Sequence, residues 1–255
     1  MHGGAVYNVD VSGQLTRVVE VPNQPSGIGF MPDGTLLIVS MKDRRILRWR
    51  DGRLSLHADL RGHYARGELN DMIVAADGSA YVGQYGSDTY AGEPPVPTTL
   101  ILVTPDGAHR AVASDLMMPN GMALSSDGRT LFVAETYRPS ITRFKVQVRG
   151  DLTDRDTFAA LSVRPDGICL DAEGCIWFGS AQHPKGGTYR VAEGGEIRDV
   201  IRADGWRGVA CVLAGPARDT LFLLESRRAS PRKIAGPGNS RIRCVPAPAP
   251  GAGLP

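Results

Sequence analysis

Three side chains with oxygen donors, Asn70, Asn120 and Asp166, occupy the same position in successive stretches of the sequence. Each opens a short apolar segment that leads into a tight turn. Amide and carboxylate oxygens suit Ca²⁺, Mg²⁺ or Mn²⁺, whereas Zn²⁺ prefers His and Cys. Taken singly, each residue is better explained as a turn or cap residue, because Asn-Gly and Asp-Gly are common turn formers. Their shared phase in three successive repeats favours one cation site.

The stretches that carry these residues are copies of one repeated unit. Each copy has an apolar run, a tight turn and a second run rich in β-branched or aromatic residues, and the copies begin at Ser26, Asn70, Asn120, Asp166 and, less clearly, Gly208. The turn glycines recur at intervals of 44 to 50 residues, at Gly34, Gly78, Gly128 and Gly174. A hairpin with that period is typical of a propeller blade with four antiparallel strands.

The repeat predicts an all-β fold, a six-bladed β-propeller with an incomplete first blade. Five complete blades are expected at Gly27–Leu60, Asn70–Leu116, Asn120–Leu161, Asp166–Ala203 and Gly208–Val245. Strands at Ala5–Asp10 and Gln14–Val21 resemble the outer pair of one more blade, whose inner hairpin is expected before Met1. A β-sandwich or a non-repeating barrel is the alternative, and the regular period argues against it.

The whole chain, residues 1–255, is predicted to form one propeller domain. Residues 1–21 form the partial first blade in this interpretation. Residues 246–255 form an extended tail, because alternating Pro and Ala prevents both a helix and a regular central strand.

Antiparallel pairing brings the predicted site to one mouth of the central channel. The first strands begin, and the second strands end, at the face opposite the turns. Residues at that mouth are therefore predicted to bind substrate: Asn70, Tyr85, Glu135, Tyr137 and His183. His63 and His183 are candidates for binding or proton transfer at the rim, but they are better explained as solvated loop residues.

The composition excludes several classes of partner. The net charge is +2, so no strong field attracts nucleic acid or an anionic membrane surface. The apolar runs are too short to span a bilayer, and the first residues do not resemble a secretory signal. The expected partner is a small-molecule substrate, and the oligomeric state is not predicted.

Four cysteines bear on the cellular compartment: Cys169, Cys175, Cys211 and Cys244. None forms a C-x-x-C pair, and three lie in apolar β-rich runs. They are interpreted as reduced, mostly buried thiols of a cytoplasmic protein. A hairpin disulfide between Cys169 and Cys175 is the alternative.

Three segments carry a family resemblance. Pro119–Leu124 (PNGMAL), Pro165–Trp177 (PDGICLDAEGCIW) and Leu69–Asp71 (LND) resemble the metal-site segments of the senescence-marker-protein, gluconolactonase and luciferin-regenerating-enzyme-like family. The resemblance implies one divalent cation, calcium first, with Mg²⁺, Mn²⁺ or Zn²⁺ as other ions of the family. Asn120 and Asp166 match two of its ligands, and Asn70 matches an asparagine that contacts the metal or substrate. A further ligand, a glutamate, is expected in the inner strand before Met1.

The resemblance therefore implies a metal-dependent hydrolase of a lactone or related ester. Asp166, or a water that it orients, is the predicted general base. Glu68 stands where many gluconolactonases have an arginine that holds sugar acids, which argues against gluconolactone as the substrate. The alternatives are a non-hydrolytic enzyme similar to strictosidine synthase and a non-catalytic propeller that binds a ligand or protein.

Overall fold

The computed structural model describes residues 3–10, 12–64, 67–89, 91–182, 184–227 and 238–253. Within these ranges the regular structure consists of 21 β-strands and one 3-10 helix of three residues, Val148–Gly150. No helix in the described part of the chain has the length and hydropathy needed to cross a membrane. The protein is therefore an all-β structure.

The strands form five blades and a separate ribbon. The ribbon consists of β1 (Ala5–Val9) and β2 (Leu15–Glu20). The first two blades are β3 (Pro25–Phe30), β4 (Leu36–Ser40), β5 (Arg45–Arg50) and β6 (Arg53–Asp59), then β7 (Leu69–Val74), β8 (Ala80–Gln84), β9 (Thr98–Val103) and β10 (His109–Leu116).

The remaining three blades continue the same order. They are β11 (Pro119–Leu124), β12 (Thr130–Glu135), β13 (Ser140–Val146) and β14 (Leu152–Ala160); β15 (Ile168–Leu170), β16 (Ile176–Ser180), β17 (Gly187–Val191) and β18 (Ile197–Arg202); and β19 (Trp206–Ala214), β20 (Thr220–Arg227) and β21 (Ser240–Pro246). All strand pairs within the blades are antiparallel, and each of the first four blades has four strands.

Turn chemistry fixes the first hairpin of a blade. In the turn between β3 and β4, Gly34 has a φ of 82° and its N–H donates to the Met31 carbonyl at 2.9 Å. The Asp33 carboxylate accepts from the Thr35 N–H at 3.0 Å. Glycine accepts the positive φ without a side-chain clash, and aspartate closes the turn locally. The turns mark one face of the disc, so the inner strands begin at the other.

The five inner strands, β3, β7, β11, β15 and β19, contact one another in sequence around the axis. A Cβ atom on Gly27 would lie 2.2 Å from the Met72 nitrogen, and one on Gly121 would lie 2.4 Å from the Ile168 nitrogen. Backbones this close leave no room for a side chain, so glycine is required. The close approach brings the beginnings of the inner strands together at one mouth.

Apolar clusters fill the spaces between neighbouring blades. Leu37 and Val82 belong to the cluster between the first two blades, and Phe132 and Phe178 belong to that between the third and fourth. These side chains are between 0 % and 8 % exposed. Burial of this kind is the main stabilising contribution to the fold, and it holds the inner strands in position.

The prediction of six blades is wrong, because the described residues form five. β1 and β2 form only a two-stranded sheet, and nothing in the structure shows this ribbon to be a blade. Val6, Val19 and Val21 of the ribbon region pack with Leu36 and Ile38 of β4. The strand positions near 5–10 and 14–21 agree with the ribbon, but two strands without an inner pair do not make a blade.

The segment after β21 packs back along the last blades. Gly251 forms an antiparallel bridge with Asp171, and the Ala252 N–H donates to the Leu170 carbonyl at 3.0 Å. Residues 247–253 contain no helix, while Leu254 and Pro255 lie outside the described residues.

All four cysteines are free thiols, so no disulfide joins Cys169 to Cys175. Cys169 instead lies opposite Cys211 of the next blade, with 3.9 Å between the sulfur atoms.

Candidate active site

The three oxygen-bearing residues lie where the inner strands begin. Asn70 and Asn120 are the second residues of β7 and β11, and Asp166 precedes β15. The Asn70 amide nitrogen donates to the Pro119 carbonyl at 3.3 Å, and the Gly121 N–H donates to the Asp166 carbonyl at 3.1 Å. These bonds link the three inner strands side by side. The structure therefore places the three predicted ligands at one mouth of the channel.

Thr136 orients Asn120. The Asn120 amide nitrogen donates to Thr136 Oγ1 at 3.1 Å, and that hydroxyl donates to the Pro165 carbonyl at 2.8 Å. Asn120 is 95 % buried, with an exposed fraction of 5 %. One hydroxyl thus joins the asparagine of one blade to the backbone next to Asp166. The role of Thr136 is not apparent from sequence, because the bond to Pro165 joins residues 29 positions apart.

A second carboxylate, Asp71, shares the electrostatic environment of Asp166. Burial raises the pKa of Asp166 to about 7, the negative charge of Asp71 raises it as well, and hydrogen bonds from Asn120 and Gly167 oppose the shift. Burial also raises the pKa of Asp71 to about 6, opposed by a hydrogen bond from the Met72 N–H. Both side chains keep some solvent exposure. The two carboxyl groups therefore interact with one another, and the charged form of each is disfavoured at the channel mouth.

Asp71 is a candidate site residue that the sequence analysis did not include. Its Oδ1 accepts from the Met72 N–H at 3.0 Å and lies against Gly27, where a Cβ atom would approach it to 2.9 Å. The one sequence signal was its position directly after Asn70 at the start of an inner strand. Asp71 faces the first blade, whereas Asn70 bonds toward the third.

Glu135, predicted to bind substrate, is engaged by protein groups on both carboxylate oxygens. Oε2 accepts from the Met117 N–H at 2.8 Å and from Arg138 at 3.2 Å. Oε1 accepts from Thr142 Oγ1 at 2.6 Å and from Arg155 at 3.1 Å. The residue is 0 % exposed. This arrangement ties the β10–β11 connection to β12, β13 and β14.

The predicted tyrosines lie at the site end of their blades. Tyr85 follows β8, is 7 % exposed, and its N–H donates to the Glu68 carbonyl at 3.0 Å. Tyr137 follows β12, is partly buried, and carries the Arg164 guanidinium 5.0 Å above its ring.

Of the two histidines considered, His183 lies outside the described residues. His63 is exposed and packs edge-on against His109, with ring centroids 4.8 Å apart. The Tyr64 hydroxyl lies 2.7 Å from Nδ1 of the same His109. The position of His63 is therefore explained by its packing against His109.

Glu68 lies at the entrance of β7, two residues before Asn70. Burial raises the pKa of its carboxyl, Lys42 opposes the shift and Asp88 adds to it. Its Oε2 is buried and has no hydrogen-bond partner among the described residues. A carboxylate here disfavours a substrate with an acidic group at this side of the mouth.

The residues at this mouth are suited to two kinds of chemistry, proton transfer and cation binding. A carboxyl group with a pKa near 7 accepts a proton at neutral pH. The oxygen atoms of Asn70, Asp71, Asn120 and Asp166 are also of the type that a hard cation prefers. The described residues contain no group of three or more His, Cys, Asp or Glu side chains placed to hold a metal, so any cation would depend on the asparagines.

Comparison with known proteins identifies the family of this chain. The family profile of the SMP-30/Gluconolactonase/LRE-like region matches residues 1–227. A pentonolactonase of Haloferax volcanii is 28 % identical over 187 residues, which cover 68 % of this chain and 61 % of that relative.

Two solved structures share the fold. A gluconolactonase from Xanthomonas campestris has a TM-score of 0.75 at 24 % identity, covering 97 % of this chain and 80 % of its own. Regucalcin from Agrobacterium tumefaciens, described as a calcium-binding protein, has a TM-score of 0.78 at 21 % identity, covering 98 % and 84 %.

Proposed function

Because the chain belongs to the SMP-30/Gluconolactonase/LRE-like family, we propose that it hydrolyses a lactone or a closely related ester. The observation that carries the proposal is the position of Asp166, a carboxyl group with a pKa of about 7 beside Asn120 at the channel mouth. The names of the relatives, a pentonolactonase and a gluconolactonase, support the same reaction class.

Asp166 is the proposed general base. It accepts a proton from a water molecule whose oxygen attacks the lactone carbonyl carbon. The ring C–O bond then breaks, and the proton held by Asp166 passes to the departing ring oxygen. The product is a hydroxy acid. Asn70 and Asn120 orient the carbonyl group, because their amide groups are fixed by Pro119 and Thr136.

The donor set fits a hard divalent cation, calcium first. Asn70, Asn120 and Asp166 would hold it, and the neighbouring Asp71 adds a second negative charge, which raises calcium affinity. When bound, such an ion polarises the carbonyl group and stabilises negative charge on its oxygen. Burial is the main cause of the raised pKa values of Asp71 and Asp166, and a bound cation would stabilise the charged form of both carboxyl groups.

Tyr85 and Tyr137 remain proposed substrate contacts, and for Glu135 an indirect role in substrate binding is proposed. Tyr85 and Tyr137 follow second strands that end at the site face, which supports direct contact. Glu135 is enclosed by Arg138 and Arg155, which supports an indirect role through the position of those arginines. His183 is retained as a proposed rim residue. A cytoplasmic location is also proposed, supported by the four free thiols.

We further propose that the β1–β2 ribbon is the outer half of an incomplete blade whose inner strands are absent from the described residues. Ile28 and Phe30 of β3 support this, since they are 44 % and 67 % exposed although β3 is an inner strand. They line an apolar cavity of about 690 Å³ together with Val74 and Val212. A hairpin in this position would cover them.

The test combines a lactone panel with a conservative variant. Pentono- and hexonolactones and p-nitrophenyl esters are assayed with added calcium, after treatment with a chelator, and with Asp166→Asn. Hydrolysis that depends on the ion and falls at least 100-fold in the variant is expected. Calcium titration by calorimetry should show binding that Asp166→Asn weakens. Undiminished turnover by the folded variant would overturn the assignment, and ligand binding without any turnover would favour a non-catalytic propeller.

A further inference from the structure

Two buried cysteines face each other across the junction of the last two blades. Cys169 lies on β15, the inner strand of the fourth blade, and Cys211 lies on β19, the inner strand of the fifth. Their sulfur atoms are 3.9 Å apart, and both residues are free thiols. The two positions are 42 residues apart in the chain, so their contact is a product of the fold. The proposed hydrolysis uses neither thiol.

The pairing of the strands turns both side chains toward the same junction. Cys169 pairs with Trp177 of β16, and Cys211 pairs with Leu223 of β20. Paired residues of an antiparallel sheet project from the same face. All four side chains belong to one buried apolar cluster. The facing surfaces of the two blades therefore each present a thiol at this point.

Backbone contacts hold the two inner strands close together. The Gly167 N–H donates to the Val209 carbonyl at 2.9 Å, and Cys211 Sγ lies 3.8 Å from the Gly167 carbonyl oxygen. A Cβ atom added to Gly167 would lie only 2.5 Å from the Ala210 Cβ atom. Because the strands are fixed at this distance, the two thiols stay in contact while the protein is folded.

A small movement of the side chains would join the two sulfur atoms. A disulfide bond is about 2.05 Å long, so the sulfur atoms must approach each other by about 1.9 Å. Rotation about the Cα–Cβ bonds moves the sulfur atoms and leaves the backbone in place. The bond would replace a sulfur contact within the apolar cluster and would add no atom to it.

The other two cysteines differ from this pair. Cys175 lies beside the turn before β16, where its N–H donates to the Asp171 carboxylate at 3.0 Å. Cys244 is exposed on β21. In the part of the chain that the structure describes, the contact between Cys169 and Cys211 is the only one between two sulfur atoms. The chain thus contains one buried and one exposed thiol as internal controls.

We propose that Cys169 and Cys211 are a reversible modification site, at which a peroxide creates a disulfide that stabilises the junction of the fourth and fifth blades. With hydrogen peroxide, one sulfur attacks a peroxide oxygen, the O–O bond breaks, and a sulfenic acid and a water form. The second sulfur attacks the sulfenic sulfur, the S–S bond forms, the S–O bond breaks and another water leaves. The two thiols together lose two electrons and two protons, and the peroxide is reduced to water.

Burial decides which oxidant suits this pair. Burial raises the pKa of Cys211, and the hydrogen bond with Cys169 raises it further, so the thiol is protonated at neutral pH. A protonated thiol is a weak nucleophile, and oxidation should therefore be slow. The exposed fractions of Cys169 and Cys211 are only 4 % and 5 %, which favours a small uncharged oxidant over a bulky disulfide. Hydrogen peroxide is therefore the probe.

Peptide mapping after oxidation tests the site. Cys244→Ser is the starting protein, because it lacks the exposed thiol that could join two molecules. It is treated with hydrogen peroxide under native conditions, alkylated, digested and analysed by mass spectrometry without reduction. A linked peptide pair that contains Cys169 and Cys211 is expected, with Cys175 alkylated. Dithiothreitol should reverse the linkage, and the linked protein should melt about 5–15 °C higher than the reduced protein.

The unfolded chain is the control for proximity. In urea the native contact is lost, and the chain favours the pair that closes the shorter loop, Cys169 with Cys175. The main linkage should therefore change from Cys169–Cys211 in the folded protein to Cys169–Cys175 in urea. Adding Cys175→Ser to the starting protein should leave the native linkage intact, whereas adding Cys169→Ser should abolish it.

Four results would overturn the proposal. These are sulfinic acid at Cys169 or Cys211 without a linked pair, linkage to Cys175 in the folded protein, the absence of a linked pair after prolonged treatment, and a linked protein that melts no higher than the reduced form. The mapping is made on a protein in which both core thiols are intact, so it does not depend on whether Cys169→Ser folds.

Discussion

At the scale of single residues, burial of the Asp166 carboxyl group should lower the stability of the protein at neutral pH. Its folded pKa is about 7, compared with 3.8 for an ordinary aspartate, mainly because of burial and Asp71. Between these two values the unfolded chain has lost its proton while the folded chain retains it. Stability of the metal-free protein should therefore fall as pH rises from about 4 to about 7, and then level off.

Asp166→Asn should remove this dependence. The metal-free variant is expected to gain on the order of 2–4 kcal/mol over the parent at pH 8, and little at pH 4. Urea unfolding in the presence of a chelator measures the difference. Asp154→Asn, at an exposed position on β14, is the control and should show no such gain. Equal stability differences at pH 4 and pH 8 would contradict the assignment of the shift to Asp166.

Thr136 offers a second test at this scale. Thr136→Val keeps the shape but removes the hydroxyl that joins Asn120 to Pro165. Loss of such a supporting bond should lower kcat/KM by about 10–100-fold, with only a small change in melting temperature. Thr153→Val, at an exposed position of β14, should leave activity unchanged. An active Thr136→Val enzyme would mean that Asn120 does not need this orientation.

At the scale of elements, buried glutamates join strands within a blade. Glu135 and Glu225 occupy the second strands β12 and β20, and each accepts from two arginines on later strands or loops. Both are almost completely buried. Removing one partner of such a pair leaves buried charge without compensation, which is strongly destabilising. These glutamates therefore hold the outer strands against the inner hairpin.

Glu135→Gln separates this structural role from substrate binding. The substitution should lower the free energy of unfolding by on the order of 3 kcal/mol, since two arginines lose their counter-charge. Glu193→Gln, an exposed glutamate paired with Arg143, should cost no more than about 1 kcal/mol. Active-site titration then gives activity per folded molecule. A large KM increase with unchanged stability would instead assign Glu135 to direct substrate contact.

At the scale of the whole molecule, the ring of blades leaves an apolar surface on its first inner strand. Phe30 is 67 % exposed, whereas Ile38 of the neighbouring β4 is 0 % exposed. Gly27 and Gly29 of the same strand face the second blade at close range. Side chains of β3 therefore alternate between a packed face and a face without a neighbouring blade.

Substitutions on β3 and β4 should differ sharply in their effect on the free energy of unfolding. Phe30→Ser should change the free energy of unfolding by less than about 0.5 kcal/mol, because an exposed site away from special contacts loses little. Ile38→Ala should cost about 2–5 kcal/mol, through lost burial and the cavity left behind. Chemical denaturation of both variants gives the comparison. A cost for Phe30→Ser close to that of Ile38→Ala would show that another segment covers β3 in solution.

The repeat, the turns and the phase of the candidate site residues could be predicted from the order of residues alone. Asp33 and Gly34 close their turn with neighbours in the chain, so local chemistry is sufficient. A regular hairpin period then places Asn70, Asn120 and Asp166 at equivalent positions, which makes their convergence predictable without a structure. The strand limits of the five blades follow from the same pattern.

Which groups act on one another became clear from the folded arrangement of the blades. The influence of Asp71 on Asp166, the bond from Thr136 to Pro165 and the contact between Cys169 and Cys211 all join different blades or distant strands. The count of five blades was decided in the same way, since a blade requires inner strands that pair with the outer ones. Contacts of this kind depend on how strands approach in space, and residue types along the chain do not specify that approach.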